Sequence, residues 1–251
     1  MFNTTIATQI YAKICFEATN SQKKIIENLS EYLSDDDFSR IFVLNGFAGT
    51  GKTTLIAALV AALKELRIKP VLLAPTGRAA KVLARYCGEQ ALTIHKRIYR
   101  QRTNADYESK FSLDFNREQG AVFIVDEASM LSDSTGDGAL FGSGSLLEDL
   151  VSYVRSGRSC RLILVGDSAQ LPPVGCDFSP ALDPATVSRY GEVVYGLMDE
   201  VVRQQMQSGI LFNATLVRCM LENRIYEIPK FEMDYPDFES VEGGDFMEKL
   251  Q

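Results

Sequence analysis

At 251 residues, 46% hydrophobic and 24% charged, the chain has ordinary globular composition and enough length for one large α/β domain or one domain with an appendage. No stretch approaches the roughly 20 consecutive apolar residues that cross a bilayer, and the segment before Phe16 has neither the basic start nor the small-residue cleavage site of a signal peptide. The net charge of −7 argues against nucleic acid at first sight, but Arg224 to Gln251 alone holds eight acidic and three basic residues, which leaves the rest near −2.

The predicted elements follow in chain order. Residues 1–20 read as an N-terminal extension. Ser21 to Leu33 places Ile25, Ile26, Leu29 and Leu33 at helical spacing, and Ser34-Asp35-Asp36-Asp37 reads as a turn. Arg40 to Leu44 is a short apolar run closed by Asn45-Gly46, which predicts a buried strand. Lys52 to Leu66 predicts an Ala-rich helix, Val71 to Ala74 a second strand, and Gly77 to Arg85 a second core helix. Ala121 to Val125 and Arg161 to Val165 are two more buried strands, with a helix over Leu146 to Arg155 between them. Short apolar strands separated by amphipathic helices mean an α/β fold: a mostly parallel sheet with helices on both faces.

Two stretches resist regular structure. Residues 103–120 are polar apart from Phe111, Leu113 and Phe115, as in a small hairpin insertion, and Ser132 to Ser145 is rich in Gly and Ser, as in a mobile loop. The main domain is expected over 21–207. After Tyr226 the chain is acidic and broken by Pro229, Pro236 and Gly243-Gly244. The five cysteines are scattered without metal-ligand spacing, which reads as free thiols in a reducing cytoplasm. The single histidine, His95, argues against a histidine-rich metal site.

Gly46-Phe47-Ala48-Gly49-Thr50-Gly51-Lys52-Thr53 matches GxxxxGK[ST] after a buried strand and at the opening of a helix, the context its chemistry needs. Glycines let backbone N–H groups turn inward around phosphates, and the helix N-terminus adds its positive dipole end. Lys52 is expected to reach the β- and γ-phosphates of ATP and Thr53 to hold magnesium, with Thr54 completing the nucleotide-binding stretch. Val122 to Val125 ends in Asp126-Glu127, and ligands of open α/β sheets bind outside the carboxyl ends of strands. Asp126 is therefore expected to contact the magnesium, and Glu127 to orient and polarise the attacking water. Leu162 to Val165 leads into Gly166-Asp167-Ser168-Ala169-Gln170-Leu171-Pro172-Pro173, which brings Gln170 to the same edge as a γ-phosphate sensor. Between the first of these motifs and the second, Gly77 to Arg102 carries seven basic residues (Arg78, Lys81, Arg85, Lys96, Arg97, Arg100, Arg102) against one acidic, Glu89: either a phosphate-binding stripe or a solvated helix face.

The set GFAGTGKTT, APTGRAAKVL, TIHK, DEASM, GDSAQLPPVG and EVVRQ, in that order between about Gln22 and Ala214, resembles superfamily 1 helicases of the RecD-like, Dda and Pif-type 5′→3′ branch. The resemblance implies a RecA-like arrangement of the sheet. It implies that Gln22 reads the adenine, that Arg203 touches the γ-phosphate, and that Gln170 couples the phosphate to the DNA site. Pro75, Thr76, Arg78, Lys81 and the Thr93-to-Lys96 element, His95 included, would line the path of single-stranded DNA, with Tyr86 and Tyr99 as candidate stacking platforms.

The family pairs two RecA-like domains, and the motifs of the second are not found after Gln207. Residues 208–251 are therefore expected to begin such a domain or to form an acidic tail, and a second RecA-like domain or subunit is an expected partner, with no membrane. The chain alone is not expected to unwind DNA. Two other readings stay open: an ATP-dependent switch or scaffold module with little turnover, and, more weakly, a small-molecule kinase.

Overall fold

The computed structural model describes residues 2–14, 17–103, 109–133, 141–200, 202 and 208–237. These fall into two compact units. The first holds Met1–Phe47 with Lys52–Glu200, and the second holds Ala48–Gly51 with Val201–Gln251.

The first unit is built on six parallel strands: β1 (Ile41–Gly46), β2 (Pro70–Ala74), β3 (Ala91–Thr93), β6 (Val122–Val125), β7 (Arg161–Gly166) and β8 (Val193–Met198), in the order β3-β2-β6-β7-β1-β8. The expected mostly parallel α/β sheet with helices on both faces is what the chain forms. The central strands are apolar along their length because both faces are covered. Along β1 the side chains alternate: Phe42 and Leu44 join one core, Ile41 and Val43 the other. The first core is closed by α1 (Phe2–Lys13), α2 (Asn20–Ser34), α3 (Lys52–Glu65) and Leu83 of α4 (Gly77–Cys87). The second is closed by α5 (Ile94–Ile98), α6 (Leu146–Ser156) and the segment from Ala181 to α7 (Pro184–Val187). The N-terminal residues are no loose appendage: α1 buries Ile6 and Ile10 completely in the first core.

Between α5 and β6 an antiparallel ribbon pairs β4 (Tyr99–Thr103) with β5 (Ser109–Leu113). Half of the Gly- and Ser-rich stretch read as a mobile loop, residues 134–140, lies outside the described residues, as does the tail beyond 237.

In the second unit, α8 (Gly209–Glu222) starts at Ser208, whose Oγ accepts from Leu211 N (3.2 Å). The following segment folds back on it: Asn213 Nδ2 donates to Glu232 O and Asn213 Oδ1 accepts from Glu232 N, both at 2.8 Å. Among the described residues the cysteines Cys87, Cys160, Cys176 and Cys219 are free thiols, and no helix is long and apolar enough to cross a membrane.

Candidate functional site

Parallel strands present all their carboxyl ends along one edge, so the motifs that follow β1, β2, β3, β6, β7 and β8 emerge on one side of the sheet. Phe47 N donates to Met198 O (2.9 Å), which extends the β1–β8 ladder and fixes where the glycine-rich loop departs. Within that loop Gly49 and Gly51 adopt φ of 73° and 85°, values that favour glycine. Lys52 opens α3, and its Nζ donates to Gly46 O (2.6 Å) and Phe47 O (2.9 Å). Gly46 makes this possible: a Cβ there would stand 2.8 and 2.9 Å from Cδ and Cγ of Lys52. Thr53, half-buried, and Thr54, exposed, occupy the first turn of α3.

Asp126 N donates to Leu73 O (3.0 Å), so the ladder carries Asp126 to the end of β6 beside β2. Burial pushes its carboxyl above the ordinary carboxylate range, opposed by the Lys52 ammonium. Glu127 is raised as well, first by burial and then by Asp126 and Asp167, again with Lys52 opposing. Glu127 has φ 54°, ψ 39°, a left-handed backbone that a non-glycine residue holds only when its surroundings demand it. Those surroundings are a 3-10 turn over Ala128–Met130, whose Ala128 and Ser129 are fully buried. This turn lies against the end of β7 so closely that a Cβ on Gly166 would come within 3.1 Å of Ser129 N. The charge of one cation, Lys52, thus acts on both adjacent carboxylates.

Gln170 is exposed in the loop after β7, where its N–H donates to Asp167 O (3.1 Å). Gln22 is almost fully buried, in a capping box at the start of α2: Gln22 Oε1 accepts from Thr19 N (3.0 Å) and Thr19 Oγ1 accepts from Gln22 N (3.2 Å). Arg203 lies outside the described residues.

The basic stripe follows β2 and β3, at one lateral end of the same carboxyl edge. Ala74 pairs with Thr93 in the β2–β3 ladder, which sets Pro75-Thr76 and Thr93-Ile94 side by side at the carboxyl edge. Thr76 and Thr93 play the same part: each caps the next helix, with Oγ1 accepting at 3.2 Å from Ala79 N and from Lys96 N respectively. Each hydroxyl keeps its own proton to donate. Arg78, Lys81 and Lys96 are exposed. His95 is partly buried against Tyr99 and Phe141, with centroids 5.6 and 5.1 Å away, and burial lowers its pKa, which leaves it neutral near pH 7. Of the two candidate stacking rings, Tyr86 is exposed on α4. Tyr99 is not available: it is buried, and its hydroxyl donates to the buried carboxylate of Asp149 (2.6 Å), so it is a core residue.

Three residues at this edge escaped the reading of the sequence. Asn45, read as the close of a strand, is a buried polar group inside it and ties β1 to Ser168. Asp167, 2% exposed, accepts from Ala169 N (3.0 Å) and adds to the negative field on Glu127. Glu200 accepts from Asn20 N (2.9 Å) at the start of α2, close in sequence to Gln22. Polar residues at strand ends were the only available signal, and turns share it.

Among the described residues no three His, Cys, Asp or Glu side chains gather to hold a metal unaided. Thr53 and Asp126 offer hard oxygen donors, the set that suits a cation which keeps most of its water. Lys52 and the start of α3 suit an anion.

A family model described as an AAA domain matches residues 17–214. The chain is 30% identical over 154 residues to the ATP-dependent RecD2 DNA helicase of Deinococcus radiodurans, a match covering 61% of this chain and 19% of that protein. It is 33% identical over 201 residues to the RecBCD enzyme subunit RecD of Mycobacterium tuberculosis, covering 65% and 32%. The chain thus spans a third or less of the length of these curated relatives. Among solved structures, it is similar to the Pif1 helicase from Bacteroides in complex with ADP-AlF3 and single-stranded DNA, with a TM-score of 0.53, 18% identity and coverage of 88% of this chain and 53% of that one; this likeness is one of fold.

Proposed function

The chain belongs to the AAA domain family, and on that premise we propose that it is a RecA-like domain of the RecD/Pif-like type within superfamily 1, which binds and hydrolyses ATP as the motor half of a DNA helicase. In this reading, turnover drives movement along single-stranded DNA, and unwinding of duplex, when a second RecA-like domain is present. The observation that carries it is the convergence of Lys52, Asp126 and Glu127, three groups from two strand ends whose charges act on one another.

Lys52 leaves the carbonyls of Gly46 and Phe47 for the phosphates, a more highly charged acceptor. Thr53 and Asp126 would hold magnesium, which neutralises charge on the phosphate oxygens when bound. Glu127, raised by burial and by its acidic neighbours, orients the attacking water and accepts its proton. Gln22 reads the adenine, Gln170 senses the γ-phosphate, and Arg203 complements its charge. Pro75, Thr76, Arg78, Lys81, Thr93, His95 and Lys96 form the DNA edge, where two hydroxyls and three exposed cations suit a phosphate backbone.

The test is the ATP hydrolysis rate with and without a single-stranded oligonucleotide, beside Lys52→Ala and Glu127→Gln. A rate that depends on both residues and rises with DNA supports the motor. ATP binding without turnover in either condition overturns it in favour of a switch module.

A further inference from the structure

Beyond the candidate DNA edge lies a second cleft. The segment Asp114–Glu118 runs from the end of β5 back along α5 and Tyr153 of α6, enclosing about 500 Å³. That is within the roughly 300–1,000 Å³ of ordinary ligand sites. Four cations line it, Lys96, Arg97, Arg100 and Arg117, against the carboxylates Asp114 and Glu118. The carboxylates are already committed. Arg100 Nε donates to Asp114 (2.6 Å), Arg97 Nη2 to Glu118 (2.6 Å), and Lys69 Nζ to Glu118 (2.9 and 2.8 Å). Lys96 and Arg117, both exposed, have no ion-pair partner among the described residues, so the mouth carries positive charge in excess. Arg97 Nε is buried with no acceptor there.

Into this basic mouth projects Phe115, 66% exposed. The backbone on both sides of it is pinned: Asp114 N donates to Ile98 O (2.7 Å) and Asn116 N to Ser156 Oγ (3.1 Å). The buried Asn116 side chain adds bonds from Nδ2 to Val154 O (3.2 Å) and from Glu118 N to Oδ1 (3.0 Å). An aromatic face held rigidly in water among unpaired cations is the arrangement that stacks an unpaired base while cations hold its phosphates. Duplex DNA hides its base faces and would leave the ring unused.

We propose that this cleft is a second grip on single-stranded nucleic acid, with Lys96 and Arg117 on phosphates and Phe115 stacked on a base. The inference rests on the reading of the α4–α5 edge as a DNA path, which it extends, since Lys96 belongs to both.

The experiment is fluorescence anisotropy of labelled oligothymidylate with the full chain, with Phe115→Ala, with Arg117→Ala, and with the pair Arg78→Ala, Lys81→Ala, each checked for an unchanged thermal midpoint. Phe115→Ala should weaken binding about tenfold with an unchanged salt slope, and Arg117→Ala should reduce the slope by about one. Wild-type affinity in both cleft variants, with loss in the Arg78, Lys81 pair, overturns the cleft and leaves the path standing. Loss in the cleft variants alone upholds the cleft and overturns the path along α4. An unmodified chain that binds no oligonucleotide overturns both.

Discussion

Asn45 and Ser168 exchange two hydrogen bonds across the carboxyl edge of the sheet: Asn45 Nδ2 donates to Ser168 Oγ (2.9 Å) and Asn45 Oδ1 accepts from Ser168 N (3.0 Å). The same amide donates to the hydroxyl of Tyr195 on β8 (3.1 Å). One buried side chain thus joins β1, the loop that carries Gln170, and β8. Asn45→Ala leaves these partners without it and should cost about 1–3 kcal/mol of stability, read as a lower midpoint in urea. If Gln170 senses the γ-phosphate, turnover should fall further than nucleotide affinity, because the sensor loses its anchor while the phosphate loop does not.

The paired carboxylates predict a stability that runs opposite to activity. Asp126 and Glu127 both have folded pKa values above the ordinary range, chiefly through burial. The folded state therefore holds more protons than the unfolded state between the ordinary and the raised values, and stability declines as pH rises through that window. Asp126→Asn and Glu127→Gln should each raise the melting temperature at pH 7–8, and the gain should shrink as pH falls toward about 4, the ordinary range of a carboxylate. Glu127→Gln should at the same time slow hydrolysis about 100-fold or more, the usual share of a general base. Equal melting temperatures at pH 7 would remove the electrostatic account of this pair.

Tyr99 and Phe115 separate a core ring from a surface one. Tyr99→Phe removes the hydroxyl that donates to Asp149, whose Oδ2 also accepts from Ser143 N (3.0 Å). It should lower stability by about 1–3 kcal/mol and leave oligonucleotide affinity unchanged. A loss of affinity without a loss of stability would return Tyr99 to the DNA path.

The N-terminal helix makes a sharper demand. Ile6 and Ile10 are fully buried between α2 and α3, so either one changed to Ala should cost about 2–5 kcal/mol, the range for emptying a packed aliphatic site. A free appendage would show almost no change in the unfolding midpoint.

What could be read in advance follows from the number of covered faces. β1, β2, β6 and β7 lie inside the sheet and announce themselves as apolar runs. β8 is an edge strand with Tyr195 and Leu197 exposed and Gly196 in its middle, and that glycine is there because Ile25 of α2 packs over the strand. Its sequence therefore lacks the continuous apolar run of the central strands. β3 is three half-buried residues at the other edge, too short to show any period. α1 mixes Thr and Ile without a clear apolar stripe, so its burial depends on α2 and α3, not on its own pattern. In the site, Lys52, Asp126 and Glu127 were legible because fixed spacing tied them to strand ends. The fate of Tyr99 was not, since only a buried acceptor 50 residues away, Asp149, takes it out of solvent.

Gly46 offers the most selective test of the phosphate site. A methyl group there would meet the stem of Lys52 at 2.8–2.9 Å and the Cβ of Met198 at 3.1 Å. Lysine methylenes can swing aside, so the fold should survive Gly46→Ala at a cost of about 1–3 kcal/mol, the usual range for overpacking. The displaced ammonium cannot keep its bonds to Gly46 O and Phe47 O, nor travel the same route to a phosphate. Its attraction on Asp126 and Glu127 should weaken as well, so both carboxyls should move further up. Nucleotide affinity, measured by calorimetry at pH 7–8, should drop about tenfold, the equivalent of one charge-assisted hydrogen bond at about 1.4 kcal/mol. Lys52→Ala should lose at least as much, and in the Gly46→Ala background it should add little, because both changes remove the same contact. Full additivity of the two would mean that Gly46 serves the backbone of the loop and not the passage of Lys52.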